Sequence, residues 1–188
     1  GGYIPTIGRL FGLPSGSYNM ALPDFSTLNL DLAQDQLFLS AYGIQVYDNR
    51  GTPQDINDDF QSSASFFDGR LAGQVTGNNP TIPVLFPPLP SPQSPSDSAT
   101  VSRDSLTIRW AEVPAAGSRG YTAWIQSGSQ TVWQIIVGDS SLTSVRLPRV
   151  PNDEFDAFVP GQFYKWTVSL STDNGSSNVS GIRFMIQP

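Results

Sequence analysis

Six short runs of β-prone residues, separated by turn-forming residues, fill the second half of this chain. Their number and spacing predict a sandwich of about seven strands, because such sandwiches are built from short strands at regular intervals. The chain also has 17 glycines and 16 prolines, which suits a fold with many turns. The runs are "DSLTIRWAEV", "GYTAWIQ", "TVWQIIVG", "LTSVRLP", "FYKWTVSLS" and "GIRFMIQ".

The first half also carries strand patterns. The stretch "TLNLDL" alternates Leu28, Leu30 and Leu32 with polar residues, the period of a half-buried strand. The runs "QLFLSAYGIQVYDNRG" and "SASFFDGRLAGQVTG" are β-prone, and the first closes on a turn signal. Residues 1–79 are therefore predicted to form a small acidic β unit.

Charge divides the chain into two parts. Residues 1–86 carry three basic and eight acidic side chains, whereas residues 99–188 carry seven of each. This asymmetry on either side of a Pro/Ser-rich segment predicts two units, 1–79 and 99–188, joined by a linker at 80–98.

The Pro/Ser-rich segment "FPPLPSPQSPSDS", residues 86–98, allows two interpretations. Its "PPLP" matches P-x-x-P and favours polyproline II, as in ligands of proline-binding domains. The nearest arginines, Arg70 and Arg103, are too distant to orient such a ligand. We therefore interpret the segment as a semi-rigid linker whose apolar start, "IPVLF", docks on one of the domains.

The motifs of the second half occur in the order found in a known family of β-sandwich domains. Leu106, Ile108 and Trp110 in "LTIRWAEVP" are followed by Tyr121 in "GYTAWI", by "TSVRLP" and by "VPGQFYKWTVSLSTDNGSSNVS". The last stretch is similar to the Pro-Gly-x-x-Tyr-x-x-Val segment of fibronectin type III domains, and residues 99–188 resemble such a domain as a whole. The resemblance implies an immunoglobulin-like sandwich with Trp110 and Tyr164 in its core.

Two features depart from that family's pattern. The loop "RVPNDEFDAFVPG" before Tyr164 is long, and the strand that contains Trp133 and "QIIV" is unusually apolar. These departures affect where the strands begin and end more than they affect the predicted fold.

Composition excludes several classes of site. The chain has no cysteine and no histidine, which rules out disulfides, Cys/His zinc sites, cysteine nucleophiles and Ser-His-Asp triads. Its net charge of −6 argues against a nucleic-acid partner, which requires a basic patch. No apolar run has the length of a transmembrane segment, and no motif indicates a cofactor.

The acidic stretch "DINDDF" supplies weak candidate ligands for calcium: Asp55, Asn57 and Asp59. EF-hand spacing fails, because the sixth position from Asp55 is Phe60 and the twelfth is Phe66, where that loop needs glycine and glutamate. The alternative is a solvated turn whose side chains hydrogen-bond their own backbone.

The long loop before Tyr164 offers the carboxylates Asp153, Glu154 and Asp156. A glycosidase needs two carboxylates across a cleft, and no pattern in the sequence places them so. A carboxylate-based hydrolase is therefore the least favoured of the three functions considered, and no enzyme activity is predicted.

The tryptophans supply candidates for a contact surface. Strand alternation in "GYTAWIQ" puts Tyr121 and Trp124 on opposite faces, so Trp124 points outward if Tyr121 is in the core. We expect Trp124 beside Lys165 and near Trp133 on an outer sheet face, where a partner or a sugar could stack. The alternative is that the acidic half or a neighbouring subunit covers this face.

These patterns predict a non-catalytic, secreted or cell-envelope module for protein–protein contact or assembly through exposed sheet faces. The alternative is a carbohydrate-binding accessory module of a secreted glycan-active protein, with Trp124 and Trp133 as stacking platforms. The start at Gly1-Gly2 is consistent with removal of a signal peptide or with a preceding lipidated cysteine.

Overall fold

The computed structural model describes residues 36–47, 59–71, 85–149 and 156–188, of which all regular structure except one 3-10 turn is strand. The predicted all-β fold class is confirmed. The described elements are β1 (Gln36–Tyr47), β2 (Phe60–Leu71), β3 (Ser91–Ser94), β4 (Ala99–Val101), the 3-10 turn Arg103–Ser105, β5 (Thr107–Ala111), β6 (Ser118–Ser127), β7 (Gln130–Val137), β8 (Ser144–Arg146), β9 (Phe163–Thr172) and β10 (Gly175–Ile186).

No described segment is a helix of the length and apolar character needed to cross a membrane.

The larger sheet has seven strands in the order β1-β2-β10-β9-β6-β7, with β4 also paired to β10. Strands β6 and β7 form a hairpin through Gly128-Ser129, and β9 and β10 form one through Asp173-Asn174. Two-residue connections of this kind join antiparallel neighbours, and Gly128 has the positive φ of 57° that such turns favour. The order leaves β7 at one end of the sheet.

The smaller sheet has three strands in the order β3-β5-β8, all antiparallel. The inward faces of the two sheets enclose one apolar core. It contains the buried side chains Leu106, Ile108, Trp110, Tyr121, Ala123, Ile125, Val137, Leu147, Phe158, Tyr164, Trp166, Val168, Leu170, Val179, Ile182, Phe184 and Ile186.

Strand alternation predicts the core faces of β6 and β9 correctly. In β6, Tyr121 and Ile125 are buried, whereas Trp124 between them is only partly buried. In β9, the core residues include Tyr164 and Trp166. Trp110 and Tyr121 are in ring contact, with centroids 5.2 Å apart.

Tyr164 fastens the turn before β9 through its hydroxyl. The hydroxyl donates to the carbonyl oxygen of Ala157 at 3.0 Å and accepts from the amide of Val159 at 2.6 Å. Burial removes water from this hydroxyl and raises its pKa above the ordinary value of 10.0. Tyr164 therefore joins the core to the loop that precedes its strand.

Strand β2, from the acidic first half, pairs with β10 in the larger sheet. Phe66 lies opposite Gly175, and Ser62 lies opposite Val179. A Cβ at Gly175 would collide with the carbonyl oxygen of Ser65, so glycine permits the close approach of these strands.

Two compact units divide the chain: residues 1–37 with 69–81, and residues 38–68 with 82–188. The predicted units 1–79 and 99–188, with a linker at 80–98, stay a prediction. Within the described residues, β2 is hydrogen-bonded to the sandwich strand β10.

The Pro/Ser-rich segment contributes a strand and several anchors. Ser91–Ser94, which lie inside the predicted linker, form β3 and pair with β5. Prolines cannot donate backbone hydrogen bonds but can accept them. Accordingly, the Pro88 carbonyl accepts from the Ser177 hydroxyl at 2.6 Å, and the Pro95 carbonyl accepts from Trp166 Nε1 at 3.2 Å.

Candidate contact surface

The outer face of the larger sheet carries a row of uncharged residues. Five neighbouring strands contribute directly opposed residues to this row, so their side chains lie side by side on one face. Asn178 Nδ2 donates to Ser63 Oγ at 2.8 Å within it. In order across the sheet, the row is Ser63, Asn178, Ser169, Thr122 and Ile136. Ser63 and Ser169 are buried, and Ile136 at the end of the row is exposed.

Trp124 lies in the adjacent row of the same face. Its direct neighbours across the strands are Gln134 of β7 and Thr167 of β9. Thr122 and Gln126, two residues away along β6, share its face. An aromatic ring surrounded by neutral amide and hydroxyl groups can pack against an apolar partner or stack on a sugar.

Lys165 lies on the same outer face as Trp124. It pairs with Gln126 of β6 and with Arg183 of β10, which places it diagonally from Trp124. The two residues are therefore brought onto one surface, as alternation predicts.

Trp133 does not belong to this outer surface, and the prediction that it lies near Trp124 there is corrected. Trp133 pairs with the core residue Ile125 and packs against the core. A β-bulge follows this pair, because Gln126 is opposite Thr131 and Val132 is skipped. Trp133 does share a face with Ile135, but the register of β7 turns that face toward the core.

Strand β7 is the feature that the sequence reasoning missed. Among the described strands it pairs only with β6, so its other side is a sheet edge. Its sequence, "QTVWQIIV", contains no charge and no proline. Ile136 is 76% exposed, the most exposed of the large apolar side chains that the structure describes. The lack of charge and proline was the available signal; the position at the edge depends on strand order.

The calcium candidates are not assembled into a described site. Asp55 and Asn57 lie outside the described residues, and Asp59 is only 3% exposed, immediately before β2. In the part of the chain that the structure describes, no group of three or more acidic, histidine or cysteine residues could hold a metal ion.

The described carboxylate of the long loop has a structural role. Asp156 accepts from Arg103 Nε at 2.8 Å, and their side chains are only 8% and 11% exposed, respectively. Asp156 also accepts from the amide of Phe158, and Arg103 lies over the Phe158 ring. Asp153 and Glu154 lie outside the described residues. Asp156 thus ties the described end of the loop, at residues 156–158, to Arg103.

Comparison with known proteins identifies no family for this chain. No protein-family model matches the chain, and no curated protein matches it at a significant level. A crystal structure of an engineered protein is similar at 18% identity over 63% of this chain, with a TM-score of 0.38. The chain spans about a quarter of that protein's length, since 24% of it is covered.

Proposed function

We propose that this chain is a non-catalytic contact module, secreted or in the cell envelope, that binds a protein partner through the outer face and free edge of its larger sheet. The observation that carries the proposal is the uncharged edge strand β7, with Ile136 exposed beside the face that holds Trp124. An exposed, uncharged strand edge is a ready template for pairing with another chain, and soluble proteins usually guard such edges.

A likeness to fibronectin type III domains supports the same proposal. Strands β3-β5-β8 face β7-β6-β9-β10, which gives seven strands in two sheets. The Tyr164 hydroxyl bonds to the backbone a few residues upstream, in the manner of the tyrosine corner of immunoglobulin-like sandwiches. Domains of this type usually serve as spacers and contact modules, so the likeness favours a binding function and an extracellular or envelope location by analogy.

The test of a contact function is a loss of binding at this surface without a loss of fold. Trp124→Ala should weaken association with the protein partner, or self-association, by about tenfold or more, because buried tryptophans dominate interfaces. Leu89→Ala, at an exposed position of the Pro-rich segment, is the matched control. Binding would be measured by sedimentation for self-association and by titration against partners identified by cross-linking. Equal binding by wild type and Trp124→Ala would refute the proposal.

Carbohydrate binding is the second candidate, and the surroundings of Trp124 favour it. Gln126, Gln134, Thr122 and Thr167 supply neutral donors and acceptors around the ring, as a neutral glycan requires. On a glycan array, wild-type binding that Trp124→Ala abolishes and Trp124→Phe partly retains would select this function. An empty array together with protein binding that is sensitive to Trp124→Ala would reject it.

A further inference from the structure

We infer that the occupant of the β7 edge is a second copy of this chain, joined by antiparallel pairing of β7 with β7 about a two-fold axis. The inference rests on the proposed function, because it names the partner of the same surface.

The edges of the smaller sheet are protected and that of β7 is not. Strand β3 has four residues and includes Pro92, and β8 has three residues and includes Arg146. Short length, proline and charge are the usual means of preventing edge-to-edge pairing. Strand β7 has eight residues with neither proline nor charge. Strand β1, at the other end of the larger sheet, also lacks proline and charge, but it contains Gly43, and a glycine inside a strand weakens it. Among the end strands β1, β3, β7 and β8, β7 alone has no proline, charge or glycine.

The absence of charge points to a second copy as the occupant. In a two-fold antiparallel pair, the residues next to the axis lie opposite or diagonal to their own copies. A charged residue there would approach its own copy, and like charges across strands are destabilising. A different partner could instead match a charge with its opposite. Gln134, Ile135 and Ile136, at the centre of the regular stretch of β7, carry no charge and so allow two copies to approach.

The bulge fixes the register of the pair. The β6–β7 ladder is regular from Trp133 to Val137 and is interrupted at Val132. The centre of this regular stretch is Ile135, where we place the two-fold axis. Residues on one face must pair with residues on the same face of the sheet. Gln134 then lies opposite Ile136 of the second copy, and Trp133 lies opposite its Val137.

This arrangement also covers the most exposed apolar side chain. Gln134 already pairs with Trp124 across β6, so Ile136 of the second copy would continue the row that contains Trp124. The two larger sheets become one continuous sheet, and the unpaired backbone groups of both edges are satisfied.

The first experiment measures oligomeric state by sedimentation equilibrium on the full chain. We expect a wild-type dimer, and we expect Ile136→Lys to raise the dimer dissociation constant by about tenfold or more, because a lysine guards a strand edge. The melting temperature should stay unchanged at a concentration where both proteins are monomeric, since Ile136 is exposed. Val159→Lys, at an exposed apolar position off the edge, is the control and should dimerise like wild type.

The second experiment tests the register by disulfide trapping, for which a chain without cysteine is well suited. Gln134→Cys and Ile136→Cys variants are oxidised separately and as a mixture. Directly opposed side chains are close enough to bridge, whereas the two identical positions lie diagonally apart. We expect a covalent dimer mainly in the mixture. A mixture of Ile136→Cys with Val159→Cys measures random collision.

The outcomes separate this inference from the function on which it rests. A monomeric wild type, a dimer that Ile136→Lys leaves intact, or equal cross-linking in every sample would overturn the two-fold β7 pair. In each of these cases, retained binding of another protein that is sensitive to Trp124→Ala would preserve the contact function. Loss of both would overturn the function as well.

Discussion

At the scale of single residues, the Tyr164 hydroxyl has a role that a hydrophobic core position alone does not require. It satisfies the Ala157 carbonyl and the Val159 amide in the turn before β9. Tyr164→Phe keeps the ring but leaves both groups without this partner, so we expect a loss of about 1–3 kcal/mol in the free energy of unfolding. Urea denaturation measures it, with Tyr42→Phe at an exposed position as control. An equal stability of Tyr164→Phe and wild type would contradict this role.

The same hydroxyl makes stability sensitive to alkaline pH. Burial raises the pKa of Tyr164 in the folded state, so the folded protein holds this proton more tightly than the unfolded chain does. Its contribution is complete below the unfolded pKa of about 10 and is lost as the pH rises through the raised folded value. Wild type should therefore lose stability more steeply than Tyr164→Phe above about pH 10. Parallel pH profiles would show that the hydroxyl is not the titrating group.

Two fully buried tryptophans differ in the partner of their indole N–H. Trp166 Nε1 donates to the Pro95 carbonyl, whereas Trp110 Nε1 has no hydrogen-bond acceptor among the described residues. Both side chains are at most 1% exposed, so replacement by phenylalanine should leave comparable cavities. We expect Trp166→Phe to cost about 1 kcal/mol more than Trp110→Phe, as measured by urea denaturation. A larger loss of unfolding free energy in Trp110→Phe than in Trp166→Phe would contradict this role of the Trp166 hydrogen bond.

At the scale of elements, the Pro-rich segment is held by its carbonyl groups. Ser177 is fully buried and donates to the Pro88 carbonyl. Ser177→Ala should therefore speed proteolysis near residues 85–90 and cost about 1 kcal/mol in unfolding free energy. Ser171→Ala, at a partly exposed position of β9, is the matched control. Unchanged proteolysis in Ser177→Ala would mean that this anchor does not retain the segment.

The same elements show which features a sequence can predict. The faces of β6 and β9 follow from a period of two, which is local, and so Trp124 and Lys165 are placed on one face. The face of Trp133 depends on the register of β7 and on a bulge, neither of which alternation encodes. Strand β3 escapes prediction because its residues, "SPQS", have little β propensity and its pairing is backbone-mediated.

Contacts distant in sequence escape prediction for a similar reason. The Asn178–Ser63 hydrogen bond joins residues 115 positions apart. Charge asymmetry suggests a boundary between the halves. Strand β2 of the first half nevertheless pairs with β10 of the second half, and the charge pattern does not encode that pairing. The edge position of β7 likewise follows from strand order, so its composition alone could not identify it as a contact surface.

At the scale of the whole molecule, the proposed contact surface differs from the parts that stabilise the fold. The core, the Tyr164 turn and the Pro-rich anchors stabilise the sandwich. The proposed contact surface comprises the β7 edge and the outer face around Trp124; Ser63 and Ser169 on that face are buried. Variants of the first group should therefore lower stability, whereas Trp124→Ala and Ile136→Lys should weaken association with little effect on folding.

Hydrogen exchange of the β7 amides tests the use of this edge most directly. The amides of Trp133–Val137 that are not bonded to β6 should exchange rapidly in dilute protein. They should become protected as the protein concentration rises, and Ile136→Lys should remove that protection. Amides of the 138–143 loop, beyond the edge, should not change. Exchange of the β7 edge that is independent of concentration, and equally fast with every partner added, would contradict the account.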